Sequence, residues 1–392
     1  MTGGGSGGHI TPILAVAHDI KQLEPSVEIT YIGQKGDAFA DIVRENAVID
    51  SNVSVRAGKF RRYHGEGLRQ LLDIETMAKN LRDAVFVMIG LWQSYWLLGK
   101  IKPDIVFVRG GFVGVPVGLA AALRRIPYIT HDSDAIPSLA NRIIARWASV
   151  HAVALDPKLY PYPASNTVNV GVPVSHNYRP VTDDLQKRYK LELGLEKYKQ
   201  IILVTGGGLG AERINSALLD NANALLQAFP ELCIVHTVGQ KHETTMSTAY
   251  TKILAPAERK RVIVRDYVND LYRYSGAADV VVARGGATNF AEFAQQGRAC
   301  VIIPNPLLTG GHQVKNAEAY AKDHAIILLR EKEIREDPLE LGKAITGVLT
   351  DKEQQISLQR NIQAFARPDS SLALAGLLLK TATGGTDGFQ AQ

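Results

Sequence analysis

Five glycines and a histidine stand in the run Thr2-Gly-Gly-Gly-Ser-Gly-Gly-His9, directly before an apolar stretch with helical periodicity over residues 10–20. Because glycine has no Cβ, its backbone N–H groups can approach a ligand closely, and such groups at a helix N-terminus bind anions. His9 adds a group that titrates near neutral pH. The run therefore predicts a phosphate-bearing ligand and acid–base chemistry; the alternative is a flexible N-terminal tail.

A second glycine loop follows about two hundred residues later. The apolar run 201–205 is typical of a buried strand, and Gly206-Gly-Gly-Leu-Gly-Ala211 separates it from a helical pattern that begins at Glu212. Strand, glycine turn and helix form the context that a phosphate loop requires, but the Lys of a Walker loop and the acidic residue of a dinucleotide fingerprint are missing. The two loops together predict two similar α/β domains that face a shared cleft.

Strand and helix patterns alternate along both halves of the chain. The predicted strands are 27–32, 105–108, 128–130, 150–154, 201–205, 232–237, 262–264, 280–283, 300–303 and 325–329. This alternation predicts an α/β fold with parallel, doubly wound, Rossmann-like sheets. We place the domain junction between Pro173 and Asp184. This gives an N-terminal domain over 1–172, a C-terminal domain over 173–359, a helix over about 360–381 that packs back on the first domain, and a disordered tail over 382–392.

Polar residues follow several of these strands, at the end where doubly wound sheets bind ligands. Arg109-Gly-Gly follows one strand, His131-Asp-Ser-Asp134 a second, and Arg284-Gly-Gly-Ala-Thr-Asn289 a third, before a helix that carries Glu292. Each segment alone is explained equally well by a helix cap or a turn. Their recurrence in both halves favours a site. Asp132 and Asp134 also form an acid-x-acid pattern, but three residues are too few to indicate Mg²⁺, and we expect no metal or cofactor.

Composition narrows the class of protein. The chain has 392 residues, a net charge of +5 and a pI near 9.0, which fits an anionic partner such as a nucleotide, a phospholipid surface or nucleic acid without choosing among them. Cys233 and Cys300 both lie in apolar runs, as expected of core residues in a reducing compartment. No secretory signal pattern is visible.

The apolar stretch 84–98 is a candidate for contact with a membrane. It is too short for a spanning helix, so it predicts either a buried core helix or a surface helix that rests on a bilayer. Trp92, Tyr95 and Trp96 suit a membrane interface. The upstream basic residues, which favour anionic lipid, are Arg56, Lys59, Arg61, Arg62 and Arg69.

These segments together resemble the MurG family of glycosyltransferases, in order and spacing, from residue 2 to about 375. The matching segments are the first glycine loop Gly4–His9 with Pro12, the patch Gly110-Gly-Phe112, the segment His131–Arg142, the C-domain loop Gly206–Ala211 with Asn215, the helix region Arg284–Glu292, and His312-Gln313 with Asn316.

The resemblance implies a two-domain GT-B enzyme of cell wall biogenesis. Such an enzyme moves N-acetylglucosamine (GlcNAc) from UDP-GlcNAc to the 4-hydroxyl of the muramyl sugar of undecaprenyl-linked lipid I, with inversion, and gives lipid II. The implied partners are UDP-GlcNAc, lipid I, an anionic inner-leaflet membrane surface and other wall-synthesis proteins, and they do not include nucleic acid. The implied location is peripheral, on the cytoplasmic face of the cell membrane.

The resemblance also assigns roles to residues. Val268 would meet uracil through its backbone with Leu271 nearby, and Glu292 would bind the ribose hydroxyls. The N-terminus of the Ala287–Glu292 helix would face the diphosphate, and Gln313 would face the GlcNAc. The other substrate-binding residues implied in the C-terminal domain are Gly207, Gly208, Arg284, Thr288, Asn289, Phe290, Ala291 and His312. The donor would be contacted from the N-terminal domain by Ser6, Gly7, Gly8 and Asp134. His9, Asp132 and Asp134 are the candidates for the general base, and we favour His9.

Several positions depart from the family pattern. The usual His-Glu-Gln-Asn is His131-Asp-Ser-Asp134 here, so that an acid replaces an amide at the sugar-facing position. Gly208 and Ser175 replace a usual serine and a usual arginine, while Gly285 and Asn289 replace Ser and Thr. These changes leave open a related GT-B transferase with another sugar or acceptor, or an inactive UDP-sugar-binding scaffold.

The start of the chain also departs from the family. Family members carry a hydrophobic strand before the first glycine loop, whereas only Met1 and Thr2 precede it here. We therefore expect either an N-terminal domain without its first central strand or a true start upstream of Met1.

Overall fold

The structure is a computed structural model that describes residues 1–4, 7–37, 40–59, 74–208 and 210–384. Its chain divides into two compact units. The first comprises Met1–His176, Leu307–His312 and Arg367–Gln392, and the second comprises Asn177–Pro306 and Gln313–Ala366. The chain first passes from one unit to the other between His176 and Asn177.

The described residues of the first unit form six short parallel strands. A two-stranded sheet pairs β1 (Thr30–Gln34) with β2 (Ser51–Val55), and a four-stranded sheet has the order β3-β4-β5-β6. The strands of the larger sheet are β3 (Val106–Val108), β4 (Tyr128–Asp132), β5 (Val150–Val153) and β6 (Thr167–Asn169). The helices are α1 (Gly7–Leu23), α2 (Ala40–Arg44), α3 (Ile74–Ile101), α4 (Gly114–Leu123) and α5 (Leu139–Ile144).

Thr2 stands where a first central strand would run. It forms isolated parallel bridges with Ile32 of β1 and Val108 of β3. Its N–H donates to the carbonyl of Phe107 at 2.8 Å, its carbonyl accepts from the N–H of Arg109 at 2.9 Å, and its hydroxyl donates to the carbonyl of Ile32 at 2.8 Å. Thr2 thus occupies the position of a first central strand and hydrogen-bonds to both sheets.

The second unit is built on one six-stranded parallel sheet of order β12-β11-β10-β7-β8-β9. The strands are β7 (Gln200–Thr205), β8 (Leu232–Thr237), β9 (Val262–Arg265), β10 (Val280–Ala283), β11 (Cys300–Ile302) and β12 (Ile327–Leu328). Counted within the unit, this is the order 3-2-1-4-5-6 of a doubly wound dinucleotide-type fold. The predicted fold class, parallel α/β with doubly wound sheets, is confirmed.

Helices cover both faces of this sheet. They are α6 (Asp183–Glu192), α7 (Glu212–Ala228), α8 (Glu243–Ile253), α9 (Pro256–Arg259), α10 (Leu271–Ala277), α11 (Ala287–Gln296), α12 (His312–Lys322), α13 (Glu331–Glu336), α14 (Leu339–Thr350) and α15 (Lys352–Gln363). Two buried apolar clusters form beneath them, one on each sheet face. Ile202 and Val204 belong to one cluster, while Ile201 and Leu203 belong to the other, as the alternation of side chains along a strand requires.

The C-terminal helix differs from the prediction. Instead of one helix over 360–381, the chain forms α15 and then α16 (Ser370–Ala382), separated at residues 364–369. Pro368 lies in the break, where its missing N–H and its steric effect on the preceding residue end a helix. Only α16 belongs to the first unit, where it packs against α1. Most of the predicted tail, residues 385–392, lies outside the described residues.

The apolar stretch 84–98 also differs from the prediction, because it forms the centre of the 28-residue helix α3. Among the described residues, Thr76–Ile101 is the one helix with the length and apolar composition to cross a membrane, at a mean hydropathy of 1.3. The prediction that the stretch is too short to span was therefore wrong on length. Length and composition alone remain weak evidence for spanning, because core helices of soluble proteins also pass this criterion.

Candidate functional site

In the second unit, the strand order reverses between β7 and β10, and this point predicts the sheet edge where a ligand would bind. β7 and β10 are neighbours there, with Thr205 opposite Ala283 at their carboxyl ends. The glycine loop after β7 and the Arg284-Gly-Gly segment after β10 therefore leave the sheet side by side. A crevice outside such strand ends is the usual ligand position in an open α/β sheet.

The glycines of the loop after β7 differ in whether packing leaves room for a Cβ atom. A Cβ on Gly206 would lie 2.4 Å from the backbone nitrogen of Ala211, and one on Gly210 would lie 2.2 Å from the carbonyl oxygen of Val238. Gly207 has a positive φ of 78°, and no described residue other than its chain neighbours places an atom within 4 Å of its Cβ position. Packing thus requires Gly206 and Gly210, whereas Gly207 faces open space. The carbonyl of Gly208 accepts from the N–H of Gln240 at 3.2 Å, and Leu209 lies outside the described residues.

The N-terminus of α11 supplies backbone N–H groups at the same edge. Its N-cap is Gly286, which offers no side-chain cap, so the first turn at Ala287, Thr288 and Asn289 has no side-chain acceptor from that position. Backbone N–H groups at the N-terminus of a ten-residue helix attract anions. The loop before it is supported from α12, because a Cβ on Gly285 would lie 2.7 Å from the carbonyl oxygen of Gln313.

Glu292 is the buried acid of this edge, with 6% of its surface exposed. Desolvation raises the pKa of its carboxyl to about 8, while a hydrogen bond with Tyr178 opposes the shift. Burial and the nearby Glu292 likewise raise the pKa of the Tyr178 hydroxyl well above its usual value. Tyr267, next to Val268 in the chain, interacts electrostatically with the same carboxyl. Tyr178 was missed by sequence reasoning, because no motif surrounds it.

The remaining predicted donor residues occupy varied positions. Val268 and Leu271 are half-buried, with Leu271 opening α10, and Ala291 is half-buried on α11. Phe290 is a core residue, 1% exposed and stacked on Tyr320 with ring centroids 4.3 Å apart. The side-chain carbonyl of Gln313 accepts from the N–H of Asn305 at 2.9 Å.

Arg284 is held by a carboxylate. Its Nη1 lies 2.5 Å from Oε1 of Glu331 and also donates to the carbonyl of Ile303 at 3.1 Å. Arg213 approaches the other oxygen of Glu331 at 3.4 Å. Since Glu331 is buried, this network neutralises much of the Arg284 charge, and the geometry favours a supporting role for Arg284 beneath the loop.

In the first unit, buried charged groups lie at the ends of β3 and β4. Arg109 is 3% exposed, and its Nη2 donates to the hydroxyl of Ser133. Desolvation lowers the pKa of the Arg109 guanidinium to about 10, whereas Asp134 and Asp132 oppose the shift. The group therefore stays cationic at neutral pH.

Asp132 is engaged through both carboxylate oxygens. Oδ1 accepts from the backbone N–H of Ser138 at 2.9 Å, and Oδ2 accepts from the hydroxyl of Tyr162 at 2.7 Å. Burial raises the pKa of Asp132 against these hydrogen bonds. The geometry therefore favours Asp132 as a group that fixes the loop after β4. Asp134 is half-buried nearby, and its backbone carbonyl accepts from the hydroxyl of Tyr160 at 3.0 Å.

Within the described part of the chain, three buried polar atoms at this edge have no hydrogen-bond partner: Nε of Arg109, Nδ1 of His131 and Oδ1 of Asn141. Their other atoms are engaged, because Nε2 of His131 donates to the carbonyl of Gly171 at 2.8 Å and Nδ2 of Asn141 donates to the carbonyl of His131 at 2.9 Å. Buried polar atoms without partners are costly, so their concentration here suits a polar ligand.

His9 lies on the first turn of α1, beside these strand ends. Its Nδ1 is 3.3 Å from the carbonyl oxygen of Arg109, which can only accept, so Nε2 carries the free lone pair. Desolvation, together with the charge of Arg109, lowers the pKa of His9 to about 4, whereas the hydrogen bond to the Arg109 carbonyl and the charge of Asp134 oppose this shift. His312, which groups with the first unit, also lowers the pKa of His9. The imidazole is therefore neutral and able to accept a proton at neutral pH.

The two glycine segments of the first unit pack backbone to backbone. Gly111 has a φ of 74°, and a Cβ there would lie 2.9 Å from the carbonyl oxygen of Gly4. Gly7 and Gly8 open α1, while Ser6 lies outside the described residues. The structure thus brings His9, Arg109, Asp132 and Asp134 to one edge of the first unit. It brings Gly207, the first turn of α11 and Glu292 to the strand ends of the second.

Comparisons with known proteins cover nearly the whole chain. Residues 1–153 match the glycosyltransferase family 28 N-terminal domain, and residues 201–372 match the glycosyltransferase family 28 C-terminal domain. A Borrelia hermsii protein named UDP-N-acetylglucosamine–N-acetylmuramyl-(pentapeptide) pyrophosphoryl-undecaprenol N-acetylglucosamine transferase is 29% identical over 380 residues, which are 97% of this chain and 96% of that protein. The Bacillus pumilus protein of the same name is 29% identical over 388 residues, 98% of this chain and 99% of that protein.

Among solved structures, Acinetobacter baumannii MurG aligns with a TM-score of 0.67 and 23% identity. The alignment covers 97% of this chain and 98% of that one. At this identity the likeness supports the fold.

Proposed function

Since the chain belongs to glycosyltransferase family 28, we propose that it transfers GlcNAc from UDP-GlcNAc to the muramyl sugar of lipid I and so forms lipid II for peptidoglycan. Its fold is of the GT-B type, with two Rossmann-like units. The observation that carries the proposal is the match of both family domains, in order, together with named transferases aligned over 97–98% of the chain. This activity places the protein in cell wall synthesis, with its consequences for cell shape and division.

In the proposed mechanism, the second unit binds the donor. The first turn of α11 receives the diphosphate, where fixed N–H dipoles stabilise the charge that develops as UDP leaves. Gly207 leaves open space for the ligand, and Glu292 receives the ribose hydroxyls. The backbone N–H groups are oriented before the reaction, so the leaving group needs no metal for charge stabilisation.

The first unit activates the acceptor in this proposal. Nε2 of His9 takes the proton of the muramyl 4-hydroxyl as its oxygen forms a bond to C1 of GlcNAc. The bond from C1 to the UDP oxygen breaks, and the configuration at C1 inverts. Asp134 favours the imidazolium that forms, because its charge raises the pKa of His9. The catalytic proton transfer thus rests on a neutral histidine beside an acid.

The direct test is a donor panel with the full chain and a soluble lipid I analogue. UDP-GlcNAc, UDP-galactose and UDP-glucose are compared by UDP release and by mass spectrometry of the acceptor, and nuclear magnetic resonance reports the anomeric configuration. We expect β-linked GlcNAc product from UDP-GlcNAc. Preferred turnover of another sugar would support a related transferase, which is the second candidate because an acid, Asp134, replaces the usual amide at the sugar-facing position. Lack of all turnover would support a UDP-sugar-binding scaffold.

We further propose that α3 binds an anionic membrane surface, so that the protein associates with the membrane peripherally. Large apolar side chains on its outer face are 37–71% exposed: Met77, Leu81, Val85, Met88, Trp92, Tyr95 and Trp96. Their spacing of mostly three or four residues places them on one helix face. The other face is packed, because Leu98 is 1% exposed and Ser94 is fully buried. A helix packed on one side and apolar on the other suits a position on the membrane surface.

Basic side chains flank this face. Arg56 and Arg82 lie 5.5 Å from the ring centroid of Phe86, and Arg124 lies 4.0 Å from that of Tyr95. Lys59 is also described, while Arg61, Arg62 and Arg69 of the predicted basic run lie outside the described residues. Aromatic and basic groups together favour an interface with anionic lipid.

Vesicle sedimentation tests the membrane proposal. We expect the chain to bind vesicles with 30–50% phosphatidylglycerol more tightly than neutral vesicles, and binding to fall about tenfold or more in Trp92→Glu/Trp96→Glu because two interfacial anchors are lost. Leu191→Glu on α6 is the matched control, because Leu191 and Trp92 are both 66% exposed. Unchanged binding of the double variant would contradict the proposal.

A further inference from the structure

Outside the proposed transferase site, a cluster of two histidines and an aspartate joins helix α1 to the end of the first segment of the first unit. His18 and Asp19 are adjacent near the C-terminal end of α1, and His176 is the last residue of that unit before Asn177. Nδ1 of His18 lies 3.4 Å and Nε2 of His176 lies 2.5 Å from Oδ1 of Asp19. One ligand atom from each of the three residues falls within 4.8 Å of the others.

The carboxylate in this cluster is fully buried. Asp19 is 0% exposed, and its second oxygen, Oδ2, has no hydrogen-bond partner among the residues that the structure describes. Its ion-pair partners among the described residues are the two histidines, which carry charge only when protonated. A buried carboxylate destabilises the folded protein unless a cation or hydrogen-bond donors compensate it, so a carboxylate with an unpartnered oxygen favours a cationic ligand.

Two imidazole nitrogens and a carboxylate oxygen are a donor set for divalent transition metals. Zinc binds histidine nitrogen and aspartate oxygen at about 2.0–2.2 Å, so its ligand atoms stand about 3.3 Å apart in a tetrahedral site. The observed separations bracket this value, and the half-exposed His18 and His176 side chains, at 47% and 50%, can adjust to reach it. Their exposure also leaves an entry path and room for water as a fourth ligand.

We propose that His18, Asp19 and His176 bind a divalent transition-metal ion with the preference of zinc. The ion would neutralise the buried carboxylate and tie His176, the last residue of the unit's first segment, to α1. His9 and His18 are nine positions apart on one helix, about 14 Å along its axis, so the metal plays no part in the proposed proton transfer. The inference therefore stands independently of the transferase function.

Titration calorimetry of the untagged full chain with zinc chloride tests the proposal. We expect one high-affinity site per chain, at least a hundredfold weaker in His18→Ala/His176→Ala and in Asp19→Asn. His242→Ala is the matched control, because His242 is an exposed histidine outside the cluster, and it should bind like the parent chain. Absence of a stoichiometric site in the parent chain, or equal affinity in the parent and the double variant, would overturn the proposal.

Two further readouts keep the test independent of folding defects. Cobalt bound to the parent chain should give visible d–d absorption bands that are lost in the double variant, while far-ultraviolet circular dichroism of both proteins stays the same. Stoichiometric zinc should raise the melting temperature of the parent and His242→Ala by about 3 °C or more but leave the double variant unchanged. An equal rise in all three proteins would show nonspecific binding and would overturn the site.

Discussion

The two units place their functional groups at the same kind of edge, the carboxyl ends of parallel strands, but they use different groups there. The first unit gathers the buried, titratable side chains of Arg109, His131 and Asp132 beside the half-buried His9. The second unit presents mainly backbone, in the loop at Gly207 and the first turn of α11, with one buried acid at Glu292.

This difference matches the two halves of a glycosyl transfer. An acceptor hydroxyl must lose a proton, and only a titratable side chain can take it at neutral pH. A leaving diphosphate gains charge, and fixed N–H dipoles stabilise that charge without changing their own protonation state. We infer that substitutions in the first unit change mainly turnover, whereas substitutions in the second change mainly donor affinity. The predictions below test that division.

The largest expected effect is on turnover in His9→Ala. Loss of the general base should lower kcat about 10²- to 10⁴-fold, because proton transfer by a positioned side chain contributes that much. Affinity for UDP-GlcNAc should change less than threefold, since the proposed donor groups are in the second unit. Steady-state kinetics with the lipid I analogue, together with calorimetry of UDP-GlcNAc binding, separates the two quantities.

His9→Gln serves as the control for local packing, because glutamine retains polarity but cannot act as the base. It should lose kcat as much as the alanine variant does. A His9→Gln enzyme within threefold of the parent kcat would remove His9 from the base role and return attention to Asp134.

The next effect is on donor affinity in Glu292→Ala. Hydrogen bonds to a charged group are worth about 1.5–3 kcal/mol, so the Kd for UDP-GlcNAc should rise about 10- to 100-fold. Affinity for the lipid I analogue should stay unchanged. Calorimetry with each ligand separately gives both constants.

Tyr178→Phe is the matched control for Glu292, because it removes the hydroxyl that hydrogen-bonds to the acid and keeps the ring. A loss of about threefold to tenfold in donor affinity would show that Tyr178 orients the carboxyl. An equal loss of both ligands in Glu292→Ala would break the division between the units.

Much of this fold could be predicted because the strands are continuous apolar runs. β8 (Leu232–Thr237) and β10 (Val280–Ala283) were predicted at the bounds that the structure shows. Buried parallel strands have continuous apolar sequences because both of their faces are covered. β2, in contrast, has the sequence Ser-Asn-Val-Ser-Val over 51–55 and lies at a sheet edge with mostly exposed side chains, so no apolar run marks it.

Contacts between distant residues account for what sequence reasoning missed. Thr2 bridges two sheets as a single residue, which leaves no periodic pattern to read. Tyr178 reaches Glu292, and His176 reaches Asp19, from positions 114 and 157 residues away in sequence. The glycine loops were visible because a strand, a turn and a helix follow each other locally, whereas these partners come together only when the chain folds.

The third prediction concerns the pH dependence of donor binding. The pKa of Glu292 is raised to about 8, so the free protein carries a neutral carboxyl there at pH 6.5 and mostly a carboxylate at pH 8.5. Ribose hydroxyls donate to the carboxylate, so the apparent affinity should rise roughly 25-fold as pH rises between these values, because the binding-competent fraction grows in that proportion for a pKa of about 8. Calorimetry with UDP-GlcNAc, whose diphosphate diester does not titrate in this range, measures the change.

Glu292→Gln is the control for this dependence, because its amide cannot titrate. Its affinity should be flat between pH 6.5 and 8.5. A parent chain whose affinity is equally flat would show that Glu292 does not set donor affinity through its charge.

The smallest effect compares one glycine from each edge. Gly111 and Gly207 have φ values of 74° and 78°, so alanine at either position costs about 1–2 kcal/mol of unfolding free energy from backbone conformation alone. Only Gly111 has a close neighbour, with its Cβ position 2.9 Å from the carbonyl oxygen of Gly4. Gly111→Ala should therefore be the less stable variant by about 1 kcal/mol, because two backbone segments must separate.

Urea unfolding monitored by circular dichroism measures this difference in unfolding free energy. Steady-state kinetics measures the corresponding effects of the two substitutions on function. Gly207→Ala fills open space at the proposed donor edge, so we expect it to weaken UDP-GlcNAc affinity more than Gly111→Ala does. Gly111→Ala should instead lower kcat, because the segment it displaces leads into His9. If Gly207→Ala were the less stable variant and the better donor binder, open space at Gly207 would have no link to the ligand, and the backbone-built character of the second edge would need another explanation.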